Sequence, residues 1–171
     1  MARTGDMAIA FREATATDWP DIWTIFREVV RTGDTYAFPP DMSESAARAA
    51  WLFDGTERRV TFIAQLDGTT VGTSYIKPNQ VGLCDHIANA GWMIAPSASG
   101  RGIGRKFADC VLDEARRLGF RGMQFNAVVA TNKRAIALWK SMGFEIVGTV
   151  PDAFRHATHG LTAVHIMYME L

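Results

Sequence analysis

Two periods of apolar and polar residues run along the chain, and they divide it into predicted strands and helices. Seven segments have the two-residue alternation or the short apolar run of a strand, and four have apolar residues every three or four positions. The order is a strand, two helices, three strands, a helix, a strand, a helix and two strands. The predicted strands span residues 8–13, 60–66, 71–76, 87–95, 123–129, 144–150 and 161–169.

Capping and stop residues bound the predicted helices. Asp18 and Ser43 are residue types that accept hydrogen bonds from free backbone N–H groups at a helix start. Gly119 and Gly143 are expected to end the last two helices in a left-handed conformation. The four helices begin after Asp18, at Ser43, after residues 100–104 and at Asn132, and they end near Val30, Asp54, Leu118 and Met142. One mixed sheet with helices on both faces, an α/β (α+β) architecture, accommodates this order most simply.

Composition and charge narrow the class of protein. The 171 residues are 48% apolar and 21% charged, which predicts one domain over residues 1–171 with a full core. Lysine plus arginine and aspartate plus glutamate both number 18, so the net charge gives no general attraction to nucleic acid or to an acidic membrane. Residues 1–7 contain no apolar secretory segment, and no stretch has the length of a membrane span, so we expect a cytoplasmic protein.

The cysteines and histidines do not form a recognisable metal or disulfide pattern. Cys84 and Cys110 are too few for a disulfide framework and make no metal-binding pair. The four histidines lack cysteine or aspartate partners at metal-ligand spacing, so we expect no metal. His86 precedes a predicted strand and is a candidate general base, because imidazole titrates near neutral pH. An ordinary loop histidine explains its position as well.

The most informative stretch spans residues 90–118, where a strand, a glycine run and a helix follow one another. Gly100, Gly102 and Gly104 let the backbone turn sharply and leave it accessible to a ligand. The first N–H groups of the helix have no internal partner, and the helix dipole places partial positive charge there. With Arg101 and Arg105 beside it, this junction predicts a site for a phosphate-bearing ligand. The Gly-Lys-Ser/Thr of a Walker A loop is missing, and a dinucleotide fingerprint requires another glycine spacing after the first strand.

Two motifs in this order resemble the GNAT superfamily of N-acetyltransferases. The loop from Ser99 to Gly104, after a strand and a proline, is similar to the superfamily's Arg/Gln-x-x-Gly-x-Gly/Ala motif. The second motif comprises Asn132, Ala135, Leu138, Trp139 and Gly143-Phe144. The resemblance covers nearly the whole chain and implies a single N-acetyltransferase domain with a splayed, mostly antiparallel sheet of about seven strands and about four helices. It also implies an acyltransferase that uses acetyl-CoA and can form a homodimer.

The resemblance further implies a set of cofactor-binding residues. The glycine loop would hold the diphosphate of coenzyme A, the strand edge at Met93 and Ile94 would pair with its pantetheine amides, and Asn132 would contact the cofactor arm. A bulge that separates this strand from the one at Phe125 would open a slot for the thioester, where a backbone N–H can polarise the carbonyl. The cofactor set is Met93, Ile94, Ser99, Gly100, Arg101, Gly102, Ile103, Gly104, Arg105, Asn132 and Trp139.

Two residues depart from the superfamily pattern. Ser99 stands where arginine or glutamine is usual, which removes one long donor from the loop. Trp139 stands where many members have a tyrosine proposed to protonate the leaving thiolate, and an indole has no useful acidity. Tyr36 is the substitute candidate for that acid, although a loop aromatic that lines or covers the pocket explains it as well.

A finer resemblance concerns asparagines. Residues 89–92, 125–126 and 131–132 are similar to the yeast-type acetyltransferases of proline analogues such as azetidine-2-carboxylate. In that branch, matching asparagines are understood to orient the substrate and the thioester. An amide both donates and accepts without a charge to desolvate, so Asn89 and Asn126 are expected to bind the acceptor and to be catalytic residues. Asparagines bonded to backbone at an edge or a bulge are the alternative.

Aromatic residues complete the expected acceptor pocket, although core packing explains such residues equally well. With Asn89 and Asn126 they are Tyr36, Phe38, Trp92, Phe125 and Phe154. The expected reaction is direct acetyl transfer from acetyl-CoA to an amine of a small molecule in a ternary complex, with an amino acid or a toxic amino-acid analogue favoured. The alternatives are a protein N-terminus, a polyamine or an aminoglycoside as acceptor, or a non-catalytic coenzyme A-binding regulatory module.

Overall fold

The computed structural model of the chain describes residues 8–171. Residues 1–7, in which the sequence predicts no secretory segment, lie outside this range. Within residues 8–171 the chain forms one seven-stranded sheet and four α-helices. The strands are β1 Ile9–Glu13, β2 Val60–Leu66, β3 Thr69–Pro78, β4 Ile87–Ile94, β5 Gly122–Val129, β6 Glu145–His156 and β7 Gly160–Glu170. The helices are α1 Trp19–Val30, α2 Glu44–Trp51, α3 Ile103–Arg117 and α4 Lys133–Ser141.

The sheet is mixed, as the pattern predicts, and its strand order is β1-β2-β3-β4-β5-β7-β6. All neighbours are antiparallel except β4 and β5, which run parallel. This parallel pair shares only two register positions, Ile87 opposite Gly122 and Ala88 opposite Met123. β4 continues to Ile94 without further pairing to β5, so the two strands separate. The separation leaves a gap in the middle of the sheet, which is the splayed arrangement that the resemblance implies.

Helices cover both faces of the sheet. Trp51 of α2 packs edge-on against Tyr75 of β3, with ring centroids 4.8 Å apart. Phe107 of α3 stacks on Phe11 of β1 at 5.3 Å. Phe11 and Gly72 pair with the same residue of β2 and so lie on one face of the sheet. Gly72 is three positions from Tyr75, and an odd separation along a strand places two residues on opposite faces. The contacts of α2 and α3 are therefore on opposite faces. No α-helix within residues 8–171 has the length and apolar character needed to cross a membrane.

The predicted cap at Ser43 and the predicted stops at Gly119 and Gly143 are present, whereas the cap predicted at Asp18 is not. The hydroxyl of Ser43 accepts a backbone N–H of α2 at 3.3 Å. Gly119 and Gly143 follow their helices with φ of +81° and +102°. Asp18 precedes α1, yet its carboxylate does not cap that helix. It accepts hydrogen bonds from Nη2 and Nη1 of Arg12, at 2.7 and 2.8 Å. Hydrogen bonding to Arg12 holds the pKa of Asp18 well below its usual range.

The ends of β6 and α2 differ from the prediction by several residues. The sequence predicts a strand that stops before Pro151 and a loop that contains His156 and His159, but β6 continues to His156 and only His159 lies in the turn. Proline is tolerated there because β6 is an edge strand and the β6–β7 register shifts beside it. α2 is shorter than predicted, since it ends at Trp51 rather than near Asp54.

Candidate active site

A cavity of about 410 Å³ occupies the gap between β4 and β5 and is called the gap cavity below. Its walls come from β3, from both separating strands, from residues 35–38 and from the first turns of α4. A volume of this size suits part of a cofactor or a small acceptor. Of the predicted site residues it brings together Tyr36, Phe38, Asn89, Trp92, Phe125, Asn126, Asn132 and Trp139.

Aromatic rings form the wall of the gap cavity beside α4. The Trp92 ring lies 5.4 Å from that of Phe125 and 4.9 Å from that of Trp139. Phe125 also stacks on Phe144 at 4.3 Å, and it is buried together with Trp139. Trp139 therefore belongs both to the core and to the cavity wall, and its indole cannot act as an acid.

Tyr36 fills part of the gap by binding the edge of β4. Its hydroxyl donates to the backbone C=O of Trp92 at 2.6 Å and accepts from the N–H of Trp92 at 2.9 Å. A neighbouring strand would pair with the same two groups, so one side chain replaces a rung of the missing ladder. Burial raises the pKa of Tyr36 far above its usual value, and its proton is shared with a carbonyl oxygen. This environment does not suit the general acid that the sequence suggests for Tyr36.

The open backbone edge of β4 lies at Ile94. Backbone groups of an antiparallel strand alternate between its two edges. The N–H of Ala95 donates towards β3 at 2.8 Å, whereas the backbone groups of Trp92 face the gap. Ile94 is two positions after Trp92, so its backbone groups also face the gap, and Met93 is two positions before Ala95, so its backbone groups face β3. Of the two residues predicted to pair with pantetheine amides, Ile94 therefore offers the free edge.

Asn89 links the three central strands at the point where the gap opens. Its amide nitrogen donates to the C=O of Gln124 in β5 at 2.9 Å, and its oxygen accepts from the hydroxyl of Tyr75 in β3 at 3.1 Å. Asn89 is buried, and burial raises the pKa of Tyr75 to about 12. The side chain thus has partners within the sheet, and it also lines the gap cavity.

Asn126 lies in a bulge of β5 and stays accessible from the gap cavity. The β5–β7 register shifts between Phe125 and Val128, while the β3–β4 register is continuous, so the bulge is on β5. The Asn126 amide donates to the side chain of Asn79 at 2.7 Å and accepts from that of Gln124 at 2.9 Å. Because these contacts are exposed, a ligand in the gap cavity can replace either partner.

The loop between β4 and α3 has the shape of an anion site. Gly100 and Gly102 have φ of +83° and +74°, and nothing lies within 4 Å of the point to which a Cβ would project from either. α3 begins with Ile103 and Gly104, and no side chain within residues 8–171 caps its first N–H groups. Free N–H groups at the start of a fifteen-residue helix, in an open turn, fit a diphosphate.

Three arginines surround this loop. Arg101 is exposed, and Arg105 donates to the hydroxyl of Ser141 at 2.8 Å. Arg134 of α4 donates to the hydroxyl of Ser99, also at 2.8 Å. Serine at position 99 removes a long donor from the loop, but the fold brings a guanidinium to the same place from 35 residues away. Motif spacing gave no signal for Arg134, because the contact exists only in three dimensions.

Two of the residues predicted for catalysis or acceptor binding lie outside the gap cavity. His86 is exposed and does not line it. Phe154 is buried with Val129 and Val164 and lines a second cavity of about 540 Å³, which shares residues 36–38 with the first. Within residues 8–171, no group of three or more His, Cys, Asp or Glu side chains is placed to hold a metal ion.

Lys77 and Tyr75 line the gap cavity but are missing from the predicted site. They lie two positions apart on β3, so their side chains share a face. The predicted strand ends at residue 76, whereas β3 continues to Pro78 and carries Lys77 into the cavity wall. Extending the predicted strand from residue 76 to residue 78 would have placed Lys77 on the same face as Tyr75.

Comparison with known proteins supports the resemblance. The model described as "Acetyltransferase (GNAT) family" matches residues 19–144. Over 98 residues the chain is 43% identical to the N-acetyltransferase aca1 of Schizosaccharomyces pombe, a match that covers 56% of this chain and 47% of that protein. The chain therefore spans about half the length of this curated relative.

Solved structures give the same result over nearly the full length. A GCN5-related N-acetyltransferase from Kribbella flavida is 43% identical, with a TM-score of 0.92 over 96% of this chain and 98% of that chain. A phosphinothricin acetyltransferase from Sinorhizobium meliloti, solved in complex with acetyl-CoA, shares the fold at 23% identity, with a TM-score of 0.85 over 96% and 89% of the two chains. Family match, sheet topology and glycine loop agree, and the chain belongs to the acetyltransferase (GNAT) family.

Proposed function

We propose that the chain is an N-acetyltransferase that moves the acetyl group of acetyl-CoA to the amine of a small molecule, with an amino acid or amino-acid analogue favoured. The gap between β4 and β5 is the observation that carries this proposal. It joins an apolar wall and three asparagines in one cavity, and Trp92 of that cavity lies two positions before the open strand edge at Ile94. The bond between Ser99 and Arg134 sets the glycine loop against α4, whose N-cap Asn132 and residue Ala135 line the same cavity.

Coenzyme A fits donors that the chain supplies. The free N–H groups of the glycine loop and the three arginines beside it would hold the diphosphate. The open edge of β4 at Ile94 would pair with the pantetheine amides, as an added strand does. The side-chain oxygen of Asn132 caps α4 by accepting the N–H of Ala135 at 3.1 Å, so Asn132 would offer its NH₂ group to the cofactor arm.

The residues around the gap cavity account for the chemistry without a strong acid. When bound, acetyl-CoA supplies a thioester whose carbonyl carbon accepts the amine nitrogen. The Asn126 amide would orient an uncharged amine at that carbon, and a backbone N–H in the slot between β4 and β5 would stabilise negative charge on the oxygen. Water would accept the proton of the amine and would supply the proton that the free thiol product needs. Trp139 has no acidic group, and the proton of Tyr36 is held by Trp92.

Thiol release from acetyl-CoA, measured with a panel of amines, tests this function. The panel holds free amino acids, azetidine-2-carboxylate, spermidine, an aminoglycoside and a peptide with a free N-terminus. We expect release with small amino acids or their analogues, together with an acetylated product that is heavier by one acetyl group. Release only with the peptide, the polyamine or the aminoglycoside would move the function to that acceptor.

A non-catalytic coenzyme A-binding module is the second candidate. It is favoured by the tryptophan at position 139 and by the committed hydroxyl of Tyr36. Such a module would be stabilised against heat by coenzyme A and would release no thiol with any amine.

The homodimer and the cytoplasmic location expected from the sequence remain predictions.

A further inference from the structure

Lys77 places a positive charge in the wall of the gap cavity. It lies on β3 directly across from Asn89 in the β3–β4 register, and on the same face as Tyr75. The residue is half-buried, and its side chain lines the cavity together with Asn89 and Asn126. A lysine in this position lies close to the asparagines proposed for the acceptor.

This charge has no anionic partner within residues 8–171. Lys77 forms no ion pair there, and the residues that line the gap cavity include no aspartate or glutamate. Its ammonium instead lies 5.5 Å from the ring centroid of Tyr75 and 6.0 Å from that of Phe53. Aromatic faces attract a cation but do not neutralise it. The cavity therefore has a net positive wall.

Arg59 strengthens the positive character of this region. Burial lowers the pKa of Lys77, and the nearby charge of Arg59 lowers it further. The buried Nε of Arg59 has no hydrogen-bond partner within residues 8–171. Its nearest carboxylate, on Glu57, lies 3.8 Å away on a side chain that is 81% exposed. Two neighbouring cations with so little compensation favour an anionic ligand.

We infer that Lys77 binds a carboxylate of the acceptor, so that the substrate class is an amino acid whose carboxylate is free. The inference rests on the proposed function, because it assigns one end of the acceptor that the proposed function acetylates. An acceptor held in this way has its carboxylate at Lys77 and its amine beside Asn126. Polyamines and aminoglycosides are polycations, which the charge of Lys77 repels, and a protein N-terminus has no carboxylate next to its amine. The cavity wall thus selects among the acceptors that the family resemblance left open.

The test compares free amino acids with their carboxamides as acceptors, for example L-alanine with L-alaninamide and L-methionine with L-methioninamide. Lys77→Met removes the charge at similar volume, Lys77→Arg keeps it, and Lys140→Met removes an exposed lysine of α4 outside the gap cavity. We expect Lys77→Met to lower kcat/KM for the acids about 10- to 100-fold and to leave the amides within about twofold. Lys77→Arg should retain most of the preference for acids, and Lys140→Met all of it.

The comparison between acid and amide separates charge recognition from a general defect. Equal losses for acids and amides in Lys77→Met would show a structural role and overturn the inference, with acetyl transfer intact. A wild-type preference for spermidine or an aminoglycoside over every amino acid would overturn it as well. No thiol release with any amine, from a chain that binds coenzyme A in a calorimeter, would refute the proposed function and this inference together.

Discussion

The hydroxyl of Tyr36 occupies both backbone groups of Trp92 that face the gap between β4 and β5. The two residues are 56 positions apart, and one belongs to the segment between α1 and α2 while the other lies in the centre of the sheet. The contact ties that segment to the strand whose edge is open. It also fixes how far along β4 the open edge extends.

Replacing Tyr36 with phenylalanine should therefore lower stability more than it changes the chemistry. The variant leaves a buried N–H and C=O of Trp92 without their partner, which costs about 1–3 kcal/mol in the free energy of unfolding. Urea unfolding measures this cost. Tyr168→Phe is the matched control, since the Tyr168 hydroxyl makes no hydrogen bond within residues 8–171. Loss of the alkaline limb of the pH–rate profile in Tyr36→Phe would instead identify Tyr36 as the acid.

Asn126→Ala should reduce turnover far more than it reduces cofactor affinity. The amide is exposed in the gap cavity and held only by other polar side chains, so its removal deprives the acceptor of a partner but leaves the fold intact. We expect kcat/KM for the acceptor to fall about 10- to 100-fold and the Kd of coenzyme A to stay within about twofold. Steady-state kinetics and calorimetry give the two values. Equal losses in both would remove Asn126 from the acceptor site.

Gly102→Val should abolish coenzyme A binding while the fold survives. Gly102 has a φ of +74° and open space where a Cβ would project, so a valine would enter the volume assigned to the diphosphate. Gly82→Val is the matched control, because Gly82 has a φ of +65°, similar open space and no part in the loop. Both variants carry backbone strain of about 1–3 kcal/mol, but only the first should lose affinity. Unchanged coenzyme A affinity in Gly102→Val, measured by calorimetry, would contradict the loop assignment.

Arg134→Gln should weaken binding of coenzyme A but not of pantetheine, which lacks the diphosphate. The guanidinium is exposed and bonded to Ser99, so a loss of about 5- to 10-fold is expected rather than complete loss. Lys133→Gln, at the adjacent exposed position, is the control. Competition binding with coenzyme A and pantetheine provides the measurement. An equal effect on both ligands would place Arg134 away from the diphosphate.

Asp18→Asn should destabilise the chain at neutral pH and have a smaller effect in acid. The pKa of Asp18 is depressed by Arg12, so the wild-type pair stabilises the fold above the ordinary value of 3.8 and loses this contribution as pH falls through the lowered pKa. Since Arg12 is partly exposed, we expect about 1 kcal/mol at pH 7. Urea unfolding at pH 7 and pH 2 tests this. Asp113→Asn, which breaks an exposed pair with Arg116, should change stability little at either pH.

The sequence predicts the fold and the glycine loop before α3 because both depend on local patterns. The glycine run before α3 and the caps at Ser43 and Asn132 each depend on residues that are close together in the sequence. Contacts between distant segments left no such trace. The Tyr36–Trp92 bonds and the Arg134–Ser99 bond join residues 56 and 35 positions apart, and no periodicity encodes them. The predicted end of the strand at Pro151 was wrong for a related reason. A proline is acceptable within β6 only because β6 is an edge strand, and the sequence does not show that position.

The two rungs between β4 and β5 make the sheet nearly two half-sheets, of four and three strands, joined by a short seam. A molecule that binds along the open edge of β4 would form the hydrogen bonds that β5 does not form there. It would therefore hold the two half-sheets together as well as take part in the reaction. We expect hydrogen exchange across the seam to slow when coenzyme A is bound, with the two halves opening independently when it is not.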